Sequence, residues 1–497
     1  MKKLLFLLSF SARIFIFLLI LLISYSSLDL FFETENVYRA RDFKALKSDS
    51  IDIAFIGSSH VEYSIYAPLI HNYSSYSSFN LASACQPLDV SLLMIDELFK
   101  TQKPSVIAYE VYSLMENNCA SDQSYTLASF MLRDKEREKV LDFVPNEKYQ
   151  YLNSFLNNHN DWKTLTYEDL KRKGKAFLNF FNKQSYLNDT SFNHVFQLPV
   201  ERYNYFLPED ISAGKINEDL LLHKLNTIKE KVKSMGSELL LFYVPMVSSD
   251  KGVASLEYIN KYASSNNIPF IDFTKPIDRV NYYLQVHGDT HHTNDVGAPY
   301  INYFISEFIK ENFPNLKTKD HDLKDHYERD AKYFLFNRYI KNELDPLIYL
   351  RTMKNFGDYK MIYYNFNNEA DNDYLDYVLK PLINDMGFNF NPNDKFYFAL
   401  INNNQLIFET KEESKFKLND KLLKITNNGI YLDDNRIDYS KNKFQDYKIE
   451  SVNAGLSFIF SDQELNNIVA KNIDSYFRNE LGWHKYLPTN YKNKFNR

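Results

Sequence analysis

Three short apolar runs of β-forming residues, separated by helix-length amphipathic stretches, leave this chain few ways to fold. They are Ile51 to Ile56, Ser78 to Ala82 and Ser105 to Val111, with Val61 to Asn72 and Leu88 to Lys100 between them. A run that is apolar at successive positions is buried on both faces, and strands joined through helices run parallel. The rhythm returns with a helical pattern at Leu221 to Met235, a strand at Glu238 to Val244, a helix at Leu256 to Asn266 and a strand at Pro269 to Phe273. Val296 to Asn312 reads as a closing helix. The fold class predicted is α/β, a doubly wound parallel sheet.

The rhythm also divides the chain. Residues 45–315 form the α/β unit, broken at about 113–212 by an aromatic-rich, helical-looking insertion, and 316–344 form a linker. Within that linker, Lys317 to Lys332 reads as a charged connection or a solvated helix. Residues 345–480 change character. Short runs at Lys360 to Asn365, Phe396 to Ile401, Gln405 to Glu409 and Leu456 to Phe460 alternate with Asn- and Asp-rich turns, and one helix is expected near Asp373 to Met386. This is a β-rich α+β domain.

Residues 1–32 are a different kind of element. Leu4 to Ile23 is apolar apart from Arg13, and about 20 such residues suffice to cross a hydrocarbon core. Lys2 and Lys3 precede it while Asp29, Glu33 and Glu35 follow, which orients a single span with the main part of the chain extracytoplasmic. A cleaved signal peptide ending near Ser24 and Ser26 is the alternative, and it too exports the chain. The net charge of −6 supplies no basic field for nucleic acid. Two cysteines, Cys85 and Cys119, are too few for a zinc ribbon and leave one optional bridge.

Chemistry is expected where parallel strands end. The first strand runs into Gly57-Ser58-Ser59-His60, a tight turn that presents Ser59 as a nucleophile; the plainer reading is a serine helix cap. The second element is Asp289-Thr-His-His292-Thr-Asn-Asp-Val-Gly-Ala298, ahead of the closing helix. Here Asp289 can orient His292, leaving the other imidazole nitrogen to take a proton from a serine. Two other readings stay open. Thr293, Asn294 and Asp295 can simply start a helix, or His287, Asp289, His291 and His292 can gather a metal such as zinc.

Together these elements resemble the SGNH (GDSL-like) hydrolase superfamily. Gly57-Ser58-Ser59 stands where that family has Gly-Asp-Ser, and Asp289, His292, Asn294 and Gly297 match its last block. With Asn80-Leu81 after the second strand, the chain looks most like the extracytoplasmic branch related to the D-alanine-transfer protein of teichoic acids and alginate-type O-acetyltransferases. The resemblance implies a flavodoxin-like sheet with Ser59, His292 and Asp289 catalytic and no cofactor. It also implies a surface polysaccharide or teichoic acid-like polymer as partner, beside a membrane-bound O-acyltransferase. The chain departs from the pattern at the oxyanion blocks, reading Asn80 to Cys85 in place of a Gly and Tyr109-Glu110-Val111 in place of an Asn. One such donor is worth on the order of 2.7–4 kcal/mol, and the backbone amides of Ser59 and Ser83 are expected to compensate for its loss in part.

Residues of about 347 to 476 resemble the interleukin-like EMT inducer (ILEI) domain. The segments that carry this include Asp358 to Ile362, Asp385-Met-Gly387, Ile425 to Gly429, Ile437 to Ser440 and Asn453 to Asp462. It implies a non-catalytic domain, either a sugar-binding module or a cap. The function expected is therefore O-acyl transfer to, or ester removal from, a cell-surface glycan, the rival being a silent scaffold that holds a polymer or an acyltransferase.

Overall fold

The structure is a computed structural model that describes residues 2–31, 35–115, 127–128, 131–132, 140, 166–167, 170–171, 174, 216–244, 250–273, 292–293, 297–335, 358–365, 380–402, 405–437, 455–461, 463–465 and 468–473. Most of the 113–212 insertion therefore lies outside the described residues.

Helix α1 (Lys2–Phe31) contains a 19-residue apolar stretch, Phe10–Leu28, whose side chains are not buried against the rest of the chain. At 1.5 Å per residue it extends about 28 Å, close to a hydrocarbon core. It is a candidate membrane anchor or signal segment. Helix α2 (Glu35–Ala45) then packs Ala40 and Phe43 into the domain core.

The α/β unit places β1 (Ile53–Ile56), β2 (Ser78–Asn80), β3 (Val106–Glu110), β4 (Glu238–Tyr243) and β5 (Phe270–Asp272) in one parallel sheet. The strand order is β2-β1-β3-β4-β5, the flavodoxin-like arrangement. Ile53 pairs with both Ser78 and Val106, so β1 lies at the point where the strand order reverses. Alternate residues face opposite layers. Ala54, Ile56, Ile107, Tyr109, Leu239, Leu241 and Tyr243 join one apolar cluster, while Ile53, Phe55, Ala108, Leu240 and Phe242 join the other. One layer is supplied by α5 (Leu88–Thr101), α7 (Glu218–Ser234) and α8 (Asp250–Ser265), and the other by α3 (Ser59–Ser64), α4 (Ala67–Ser74) and α9 (Gly297–Asn312). The short α6 (Tyr112–Met115) follows β3.

Two differences from the sequence reading have local causes. The helix expected over Val61 to Asn72 is two helices, α3 and α4, because Pro68 has no N–H to carry a continuous helix back to Ser64 O and suits only the first turn of a new one; Ile65 and Tyr66 between them are extended. The charged stretch after α9 contains α10 (Lys324–Phe334), and this helix is not solvated all round. Tyr327, Asp330, Ala331 and Phe334 are buried, and Tyr327 Oη donates to Ser78 O at 2.6 Å.

The distal strands form two antiparallel sheets. One has the order β14-β13-β6-β7-β8, from β6 (Tyr359–Asn365), β7 (Phe396–Asn402), β8 (Gln405–Thr410), β13 (Gly455–Ser461) and β14 (Ile468–Ile473). The other is β9 (Ser414–Leu418), β10 (Lys421–Thr426), β11 (Gly429–Leu432) and β12 (Asn435–Arg436). Their inward residues share one core: Met361, Tyr363, Phe398, Leu400 and Ile459 meet Leu418, Leu423, Ile425 and Ile430. Of the helix expected near Asp373 to Met386, α11 (Lys380–Asp385) lies within the described residues.

Candidate active site

The carboxyl end of β1 turns so tightly that only glycine fits. A Cβ on Gly57 would sit 2.6 Å from the Glu110 Cβ and 2.7 Å from Val61 Cγ2. The close approach brings Ser58 and Ser59 directly over the end of β3. Ser58, not Ser59, caps α3, its Oγ accepting from the His60 amide at 3.3 Å. That frees Ser59, the first residue of α3, to face outward from the turn.

His292 is the partner. Its Nε2 lies 2.9 Å from Ser59 Oγ, although the two residues are 233 positions apart. The imidazole is stacked near Tyr63, with ring centroids 4.4 Å apart, and beside His60 at 5.7 Å. The next residue, Thr293, is fully buried and its hydroxyl bonds to that of Ser64, which fastens the histidine segment to the end of α3. Asn302 adds a second fastening. It accepts from the Tyr66 amide at 3.0 Å and donates to Ser64 O at 2.7 Å and Ala298 O at 2.6 Å, so α9 is tied to the α3–α4 corner. Thr293 thus has a structural task other than helix initiation.

Asp289 and its neighbours His287 and His291 lie outside the described residues, so neither the orienting role of Asp289 nor the metal cluster has a geometry to report. Among the described residues, no group of three His, Cys, Asp or Glu side chains is arranged to hold a metal ion.

The loop after β2 forms the opposite wall. Asn80 donates to Val61 O and Ile65 O, both at 3.1 Å, and accepts from the Ala82 amide at 2.9 Å, so its amide side chain holds α3 against the loop. Arg39 of α2 donates to Ala82 O at 2.5 Å and pairs with Glu62 of α3 at 2.6 Å. Both side chains of that pair are about nine-tenths buried, which makes it a clamp rather than a surface ion pair. Ser83 is buried beside this clamp. Its amide makes a long bond of 3.4 Å to Gly57 O, and its hydroxyl donates to Gln86 Oε1 at 2.8 Å. Cys85 is disulfide-bonded.

Beneath the serine turn lies a fully buried carboxyl, Glu110. Its Oε2 accepts from Ser58 Oγ at 2.8 Å and from the Ser58 amide at 3.3 Å, and its Oε1 accepts from the Tyr112 amide at 2.8 Å. Burial pushes its pKa up to about 7, against the pull of those three donors. Ser58 Oγ is in turn 2.9 Å from His60 Nδ1, and His60 packs edge-on against Tyr112 at 4.3 Å. The sequence places Glu110 near the site without giving it a task. A lone acid ending a buried apolar strand was the available signal. Arg39 and Asn302 had no comparable mark, since one sits in a polar stretch and the other beside an ordinary apolar helix stripe.

The arrangement can perform nucleophilic chemistry. A serine hydroxyl beside an imidazole nitrogen, at the switch point of a parallel sheet, is placed to lose its proton as it attacks a carbonyl carbon.

No family model matches the chain, and no curated protein matches it. Among solved structures it is similar to a "putative acylhydrolase" from Bacteroides fragilis NCTC 9343, at 12% identity and a TM-score of 0.28, over 56% of this chain and 95% of that one.

Proposed function

We propose that the protein is a serine-dependent O-acyl transferase or esterase, and the observation that carries this is the 2.9 Å approach of His292 Nε2 to Ser59 Oγ at the β1–β3 switch point. In the first half-reaction His292 takes the Ser59 proton as Oγ bonds to the ester carbonyl carbon. The negative charge that develops on oxygen is held by the Ser59 amide and by the Ser83 amide, which exchanges its long bond to Gly57 O for the oxyanion. Collapse breaks the bond to the alcohol, which leaves with the proton from His292. An acceptor hydroxyl, or water, then gives its proton to His292 and attacks acyl-Ser59; the acyl–Oγ bond breaks, His292 returns the proton to Ser59 Oγ, and the new ester or the free acid is released. Asp289 orients His292 in this scheme.

The setting of the reaction is part of the proposal. The apolar helix at the N-terminus anchors the chain or exports it, and the disulfide at Cys85 suits an oxidising compartment. We place the site outside the membrane, acting on an acetylated or acylatable cell-surface glycan or teichoic acid-like polymer. The distal β-rich unit, ILEI-like by its sequence, would hold the polymer.

The full-length chain in detergent, assayed on p-nitrophenyl acetate, tests the reaction. Hydrolysis abolished by Ser59→Ala and by His292→Ala, with an acetyl group found on Ser59 by mass spectrometry, is the outcome expected. Equal rates in all three proteins and no acyl-enzyme would sink the catalytic reading and leave a scaffold.

A further inference from the structure

Ser58 carries one hydroxyl proton but has two neighbours that compete for it, Glu110 Oε2 at 2.8 Å and His60 Nδ1 at 2.9 Å. A carboxylate can only accept. When Glu110 is ionised, the Ser58 proton must point to it, and Ser58 Oγ then accepts from His60 Nδ1–H. When Glu110 is protonated, the roles reverse. The proton that matters here sits on Oε2, the oxygen that faces Ser58 Oγ. Oε2–H donates to Ser58 Oγ, the Ser58 proton turns to His60 Nδ1, and the neutral imidazole must carry its proton on Nε2.

We propose that Glu110 is a positioning residue whose carboxyl, acting through Ser58 Oγ, decides which ring nitrogen of His60 is protonated beside the Ser59–His292 pair. The proton count balances as a relay. One proton enters at His60 Nε2, the Nδ1 proton passes to Ser58 Oγ, and the Ser58 proton passes to Glu110 Oε2, so one proton is taken up in all. The reverse relay releases it. Glu110 is fully buried, and the Ser58 hydroxyl and the His60 ring, itself only 2% exposed, are the groups through which its proton would pass.

The surroundings favour a carboxyl that changes state near neutral pH. Its burial raises the pKa to about 7, against the Ser58 and Tyr112 hydrogen bonds that lower it. Among the described residues, the titratable groups around it are His60 on α3, Tyr112 on α6, His292 beyond His60, and Tyr109 one residue back on β3. Tyr109 points the other way, toward Ser91 and Ser113, and burial holds its phenol protonated, pushing its pKa up to about 12. Glu62, also on α3, is paired with Arg39. The relay changes His60 Nε2 from an acceptor to a donor within a ring that lies 5.7 Å from the ring of His292. It therefore adds an ionisation to the pH dependence of the serine reaction without touching the reacting atoms.

The inference rests on the acyl-transfer reading only for this kinetic consequence, and its test separates the two. The full-length chain in lipid nanodiscs, labelled with ¹⁵N-histidine and with the His60 signal identified by His60→Gln, reports the tautomer across a pH range of roughly 5.5 to 8.5. The wild type is expected to pass from Nε2–H to Nδ1–H as pH rises through about 7, following Glu110. Glu110→Gln, which cannot titrate, holds one tautomer throughout, and the kcat/KM profile of ester cleavage loses one ionisation. Ser58→Ala cuts the same chain with a smaller change of shape and serves if the first variant does not fold. A wild-type His60 that keeps one tautomer, or gains imidazolium with no exchange of tautomer, overturns the inference. So does a Glu110→Gln protein that still switches. A switch present in a protein with no esterase activity would instead overturn the catalytic reading alone.

Discussion

The two ends of the parallel sheet each bury a carboxyl beneath a serine, and they use it differently. At the amino end, Asp52 accepts from the Ser77 amide at 2.7 Å, from Ser77 Oγ at 2.8 Å and from the Lys319 amide at 2.8 Å. Ser77 Oγ also accepts from the Asp52 amide at 2.9 Å, so serine and acid close a loop on themselves. At the carboxyl end, Glu110 has three donors as well, but Ser58 Oγ leads on to His60, whose ring lies 5.7 Å from that of His292. Burial raises both pKa values, as it must when a carboxylate leaves water. What differs is the destination of the chain of bonds. A closed loop joins the starts of β1 and β2 to the segment after α9, while an open one runs from the end of the sheet to a ring beside the Ser59–His292 pair.

The contrast can be broken in order of expected effect. Ser59→Ala and His292→Ala should each lower kcat for ester cleavage by on the order of 10⁴-fold or more, measured on the full-length protein, with urea midpoints unchanged. A residual rate that survives both variants would remove the carboxyl end from the chemistry. Arg39→Ala acts on the wall of the same end. It takes the guanidinium away from the buried Glu62 carboxylate, and breaking such a buried pair is expected to cost about 3–5 kcal/mol of stability in chemical denaturation. Asp52→Ala leaves the Ser77 and Lys319 amides without their acceptor, at about 1–3 kcal/mol for a buried donor, and should leave the pH profile of the reaction untouched. A shift in that profile would show that the two ends are coupled.

What could be read from residues alone followed the same divide. Strands β1 to β5 were legible because burial on both faces demands continuous apolar runs, and Gly57-Ser58-Ser59 marked the turn because little else makes one so tight. The pairing of Ser59 with His292 was legible through residue type and placement. Strands β9 to β12 were less so. Runs such as Ser414 to Leu418 interleave lysines with apolar residues, since only one face of that sheet meets the core. The Arg39 clamp and the Ser58 relay were not legible, because each depends on side chains far apart in sequence meeting at hydrogen-bond distance. The break between α3 and α4 was available in Pro68, whose missing N–H outweighed the apolar periodicity running through it.

The smallest effect expected comes from the back of the molecule, where α10 covers α4. Burial lowers the pKa of His71 to about 4, helped by His321 and Lys324, and burial with Arg329 lowers that of His326 to about 4. Each folded-state value lies below the ordinary 6.5, so the unfolded chain binds more protons between about 4 and 6.5 and stability rises with pH there. Glu110 works in the opposite sense. Its folded value of about 7 lies above the ordinary 4.5, so the native state holds the extra proton and stability falls with pH over that interval. Between about 4.5 and 6.5 two histidines oppose one carboxyl, and the contribution of these three groups rises with pH. His71→Gln removes one histidine and leaves the remaining two groups nearly balanced. Urea midpoints taken across this range should therefore climb with pH less steeply in the variant than in the wild type. Parallel slopes would mean that His71 titrates in the folded protein much as it does in the unfolded chain, and that α10 does not seal it from water.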